Sequence, residues 1–126
     1  MERRRLEIAS TTESSVTVLT FTGDLDLGTL NLAKSRLQDE MLPDRRRFVL
    51  DLDRVGYIDS SGLGFLIGAL KKVREREGDL VIARLNAYML GIFKLLNLHE
   101  VLDVYDDLDA AVRALEGGQA PASRDR

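Results

Sequence analysis

The chain has 126 residues, a formal net charge of −3, no cysteine and a single histidine, His99. This length suits one domain that hides roughly two-thirds of its unfolded surface, so an ordinary hydrophobic core needs no covalent staples. The composition excludes disulfides, thiol nucleophiles and thiolate or multi-histidine metal sites, and the acidic balance disfavours direct nucleic-acid binding.

The first residues, Met1-Glu2-Arg3-Arg4-Arg5-Leu6, lack the apolar stretch of a signal peptide, and no later run approaches the length of a bilayer span. A cytoplasmic chain without membrane contact is expected. Strands are predicted over Leu6–Ala9 and Val16–Thr22, joined by a hairpin turn at Thr12-Glu13-Ser14; the second alternates Val16, Val18 and Thr20 against Thr17, Leu19 and Phe21. Gly23-Asp24-Leu25-Asp26 is expected to break this strand. Leu30, Ala33, Leu37 and Met41 mark an amphipathic helix over Leu27–Met41, ended by Pro43-Asp44. Arg45-Arg46-Arg47 reads as a solvated rim leading into a strand over Arg47–Leu52, with Asp51 and Asp53 at its carboxyl end.

The strongest helical signal is Ser61–Glu77, with Leu63, Leu66, Ile67, Leu70 and Val73 on one stripe and Gly78-Asp79 as its stop. A strand over Leu80–Leu85 follows, then a short apolar helix over Tyr88–Leu96 closed by Asn97. A strand over Val101–Tyr105 comes next. A last helix begins at Asp106-Asp107 and carries Leu108, Ala111, Val112 and Leu115. Residues 117–126 have little to bury and are expected to form a disordered tail behind a domain over residues 1–116. The order β-β-α-β-α-β-α-β-α predicts a single α/β domain on a mixed sheet with parallel central strands.

Sites in open α/β sheets gather at the carboxyl ends of strands. Two segments reach such ends: Gly23-Asp24-Leu25-Asp26 and Tyr57-Ile58-Asp59-Ser60-Ser61. If their strands are neighbours, both turns share one rim. Serine at a helix start is most simply a cap, worth about 1 kcal/mol. Glycine inside a helix costs up to about 1 kcal/mol. Gly62, Gly64 and Gly68 therefore point either to close packing or to a surface that another backbone approaches. Phe65 falls off the apolar stripe, which fits a broad buried face or an exposed anchor for a partner. Enzyme readings lack parts. Gly62-x-Gly64 is followed by Gly68, one residue too late for a dinucleotide fingerprint. A nucleophile elbow needs glycine where Ile58 or Asp59 stands. A phospho-aspartate receiver has only Asp51 and Asp53 to offer. His99 is the one base available to a serine hydrolase.

Taken together, Gly23-Asp24-Leu25-Asp26, Val49-Leu50-Asp51-Leu52 and Asp59-Ser60-Ser61-Gly62-Leu63-Gly64 resemble the STAS domain of bacterial anti-sigma factor antagonists. The resemblance extends through Leu85-Asn86, Phe93, Leu98 and Asp107-Leu108-Asp109-Ala110-Ala111, and so spans Leu6 to Leu115. It implies a STAS-like fold and a regulator of transcription in stress response or sporulation, with no enzymatic activity and no cofactor. It also implies partner switching. The unphosphorylated antagonist binds an anti-sigma factor that is also a serine kinase, the sigma factor is released, and a PP2C-type phosphatase reverses the phosphorylation. The family's phosphoacceptor matches Ser60. Asp24, Asp26, Asp59, Ser61, Gly62, Gly64 and Phe65 match or flank the family's partner-binding rim. Two departures stand out: Asn97 replaces a frequent glycine, and Asn86-Ala87-Tyr88-Met89-Leu90-Gly91 is more apolar than usual. A STAS scaffold or ligand-binding module without a phospho-switch is the alternative reading.

Overall fold

Period-two alternation in the central strands sends two different sets of side chains to the two faces of one sheet. The computed structural model describes residues 5–116, so the tail expected over 117–126 lies outside the described residues. Five strands lie side by side in the order β1 (Glu7–Glu13), β2 (Val16–Leu25), β3 (Arg47–Ile58), β4 (Asp79–Ala83) and β5 (Val104–Tyr105). β1 is antiparallel to β2, and all later pairings are parallel. The expected mixed sheet with parallel central strands is what forms.

One face of the sheet carries Leu19, Phe21, Phe48, Leu50, Leu52, Leu80 and Ile82, all buried. Three helices cover it: α1 (Leu30–Glu40), α2 (Ser60–Glu75) and α3 (Ala87–Leu95). The other face carries Val16, Val18, Val49, Val81 and Ala83, a shallower layer closed by α4 (Leu108–Leu115) through Ala111, Val112 and Leu115. Fully burying one Leu, Phe or Val side chain contributes about 1.5–3 kcal/mol, so the deeper three-helix layer supplies most of the hydrophobic stabilisation.

Several element boundaries differ from the sequence expectation, for local reasons. β1 runs on to Glu13, and the hairpin turns at Ser14-Ser15, where Ser14 takes a positive φ of 56°. β2 does not break at Gly23. It continues to Leu25 through register shifts at Thr20/Thr22 and Gly23/Asp24. Gly23 has φ +120°, and a Cβ there would meet the Arg5 carbonyl oxygen at 2.4 Å, so the passage of Arg5 and Leu6 beside it requires glycine. β3 extends to Ile58 for the matching reason: Val55, Tyr57 and Ile58 pair with Gly23, Asp24 and Leu25. α1 starts at Leu30 because Asp26 to Thr29 form a turn of their own. Of the strand expected over Val101–Tyr105 only Val104–Tyr105 forms, as β5; before it comes a short 3-10 turn over Leu98–Glu100, entered through Asn97 in the left-handed conformation (φ 56°).

Asp51 is buried beneath the Arg84 guanidinium, which donates to Asp51 Oδ1 (3.1 Å) and to Oδ2. This hydrogen bond, helped by the charges of Asp51 and Asp53 and opposed by burial, holds Arg84 above its ordinary pKa. Removing Arg84 leaves a buried carboxylate without its cation, a loss worth several kcal/mol in well-buried pairs. Because Arg84 itself is partly exposed, Arg84→Met is expected to lower the unfolding free energy by about 2 kcal/mol, read as a drop in urea midpoint.

Candidate functional site

Asp24 and Leu25 end β2 opposite Tyr57 and Ile58 at the end of β3, so the two predicted turns do share one rim. The Asp59 backbone N–H reaches the Leu25 carbonyl (3.4 Å), and the Asp59 carboxylate then divides between the two turns. Its Oδ1 accepts from the Gly62 N–H (3.0 Å), capping α2, and its Oδ2 accepts from the Leu27 N–H (3.1 Å) across the rim. The cap is therefore Asp59, not Ser60 or Ser61. Aspartate satisfies an orphan N–H as well as serine does and adds a negative charge at the positive helix end.

This leaves Ser60 as the first residue of α2, exposed to solvent, its hydroxyl without a hydrogen bond among the described residues. Ser61 is half-buried and faces α1. Gly62 is tightly enclosed: a Cβ would lie 2.2 Å from the Leu25 carbonyl oxygen and 2.7 Å from Ile58 Cγ1. Gly64 and Gly68 are the opposite case, since a Cβ at either would meet nothing within 4 Å. The packing reading thus holds for Gly62 and fails for the other two.

Phe65 is not an exposed anchor. It is 5 % accessible and packs on Phe21 with ring centroids 6.1 Å apart, because α2 lies broad-side on the sheet. Ile67, expected on the buried stripe, is correspondingly turned outward. Asp24 and Asp26 are buried rather than displayed. Asp26 Oδ1 accepts from the Thr29 N–H (3.1 Å), while Thr29 Oγ1 accepts from the Asp26 N–H (3.0 Å) and donates to the Asp24 carbonyl (2.8 Å). The acidic turn is thus closed on itself and held in shape from beneath.

Three rim features escaped the sequence reading. Leu27 is 70 % exposed beside the Asp59 carboxylate. The Tyr88 hydroxyl lies 3.4 Å from both the N–H and the carbonyl of Ile58, which brings α3 against the residues preceding Ser60. Asn86 caps α3 through the Met89 N–H (2.9 Å) and donates to the carbonyls of Val55 (2.8 Å) and Asp53 (3.1 Å), fastening α3 to the irregular end of β3. An asparagine directly before an apolar helix is a legible cap; its second attachment is not. His99 sits on the 3-10 turn, and that turn leads to Val101, which shares a surface groove with Ile67, Leu70 and Arg74. This places the turn beside the middle and end of α2, away from the serines. Among the described residues no acidic or histidine cluster could hold a metal ion, and no helix is long and apolar enough to cross a membrane.

Asp59→Ala should cost about 1–2 kcal/mol, and hydrogen exchange at the Gly62 and Leu27 amides should accelerate together because one carboxylate holds both. Gly62→Ala should be more damaging than Asp59→Ala in thermal melts, since its Cβ has to displace backbone rather than a side chain.

The STAS domain family model matches residues 7–111. An anti-sigma F factor antagonist of Paenibacillus polymyxa is 26 % identical over 113 residues, covering 88 % of this chain and 96 % of that protein. Among solved structures, an anti-sigma factor antagonist of Mycobacterium paratuberculosis superposes with a TM-score of 0.78 at 20 % identity, over 87 % of this chain and 93 % of the other. The Bacillus cell fate determinant SpoIIAA in its phosphorylated form does so with a TM-score of 0.64 at 15 % identity, over 86 % and 98 %. The family match runs through both turns of the rim and all the helices that frame it, and the chain belongs to the STAS domain family.

Proposed function

We propose that this protein is a cytoplasmic anti-sigma factor antagonist whose binding is switched by phosphorylation at Ser60. The observation that carries this reading is the freedom of the Ser60 hydroxyl: Asp59 has taken over the cap, and Ser60 stands exposed at the first position of α2. The relatives named as anti-sigma factor antagonists, and the phosphorylated form in which one structural neighbour is known, point the same way. In this scheme the unmodified protein binds an anti-sigma factor with serine kinase activity and so frees a sigma factor. A PP2C-type phosphatase restores the unmodified state. The antagonist supplies no catalytic group, and Ser60 is a substrate.

The physics of the switch is local. A phosphoryl group adds about −1.5 to −2 charges at pH 7. At Ser60 that charge meets the positive end of α2, which the fold tolerates. A protein surface packed over the rim would have to desolvate the same charge beside the Asp59 carboxylate and above Asp24 and Asp26. Losing about 3 kcal/mol of binding lowers affinity more than a hundredfold. Gly64 lets the partner approach the start of α2, Gly62 seats that helix against the rim, and Asp24, Asp26 and Asp59 fix the shape of the rim. Ser61 and Phe65 then act through the adjoining groove wall and floor rather than as exposed anchors.

Incubation with the cognate anti-sigma kinase and ATP should modify Ser60, located by mass spectrometry; modification of Ser61 alone, or none, refutes the assignment. In calorimetric titrations Ser60→Ala should keep anti-sigma binding and Ser60→Asp should weaken it at least tenfold. Equal affinity of the two variants would leave a STAS scaffold without a phospho-switch as the better reading.

A further inference from the structure

Gly64 and Gly68 are the least explained residues of α2. Neither adopts a positive φ, and among the described residues a Cβ at either would meet no neighbour within 4 Å. Each nevertheless costs the helix about 0.5–1 kcal/mol relative to alanine. What their missing side chains leave is a groove of about 420 Å³ between α1 and α2. Its floor is apolar, made by Leu37, Met41, Phe65 and Ala69, and its upper end opens at Ser61, next to Ser60. Lys34 stands on the α1 wall and Lys72 on the α2 wall. Neither lysine has an ion pair or hydrogen bond among the described residues.

We infer that this groove receives an amphipathic helix of the anti-sigma partner, apolar along one stripe and carrying carboxylates on its flanks. The inference rests on the proposed function and extends its interface from the rim down the length of α2. The bare backbone at Gly64 and Gly68, one helical turn apart, admits close approach of another main chain. The apolar floor matches the stripe of such a helix. Lys34 lies in the second turn of its wall, whereas Lys72 is near the far end of the other. Cations on opposite walls at different depths fit carboxylates spread along an extended body better than the single head group of a small amphiphile.

The test measures affinity of the cognate anti-sigma factor for wild type, Gly68→Leu and Lys72→Glu by calorimetry, with thermal melts alongside. Gly68→Leu fills the groove two helical turns from Ser60, and it should weaken binding at least tenfold while the melting temperature holds or rises. Lys72→Glu, an exposed change that leaves the fold alone, should weaken binding severalfold, and reversing one acidic residue of the partner helix should restore it. If wild type binds and both variants bind equally well, the groove inference falls and the proposed function stands. If wild type binds no anti-sigma factor, both fall. Should dodecanoate shift the amide resonances of Gly64 and Gly68 while both variants keep full partner affinity, the groove is a small-molecule site and the helix is the wrong occupant.

Discussion

The Asp59 carboxylate is the joint on which the candidate site depends. One oxygen closes α2 at Gly62, and the other holds the Leu27 N–H of the facing turn. Each is a charge-assisted hydrogen bond to backbone, and because the Leu27 bond is exposed to water and the Gly62 bond only part-buried, the pair together contributes about 1–2 kcal/mol. Because the same side chain makes both, the start of α2 and the β2–α1 turn cannot move independently. The identity of Gly62 follows from the same closure: with Leu25 drawn against the start of α2, there is no room for a Cβ. The exposure of Ser60 follows too, because a helix start needs only one cap.

Around that joint the remaining contacts make the rim stiff. Asp26 and Thr29 exchange hydrogen bonds, Thr29 reaches back to Asp24, and Asn86 and Tyr88 fasten α3 to the end of β3. Most of these partners are backbone groups that the irregular strand ends leave without a ladder. A sheet edge built this way presents a fixed surface, with Leu27, Tyr57 and Tyr88 as its exposed apolar residues. Regulation of such a surface by charge needs no rearrangement of the fold. In the proposed switch, the phosphoryl charge at Ser60 acts by making desolvation of the rim unfavourable.

The fold was legible because its information is periodic. Alternation in β2, the apolar run of β4, the apolar stripes of α1 and α4, and the glycine stop at Gly78 all act over a few residues of sequence, and the structure reproduces the element order. What was not legible depends on pairing across the sheet. The continuation of β2 and β3 past Gly23 and Leu52 is set by each strand's partner, and no local signal announces it. The same holds at the rim. The turn was found, but the division of labour within it was not: Asp59 and Ser60 are both good caps, and only the position of Leu27 shows why aspartate, with two oxygens to offer, takes the role. Phe65 was ambiguous for a related reason, since a helix lying flat on a sheet buries a wider arc than a narrow stripe predicts.

The three α2 glycines show how far residue type alone can mislead. Gly62 is demanded by contact, as the Leu25 carbonyl occupies the space of its side chain. Gly64 and Gly68 are demanded by nothing among the described residues, and they sit in a helix whose stability they lower. A cost without an internal return is expected where a surface serves something outside the molecule. The two kinds of glycine are adjacent in sequence because the two jobs are adjacent in space. Gly62 seats the helix against the rim, and from Gly64 to Gly68 the same helix turns a bare backbone outward along the groove beside α1.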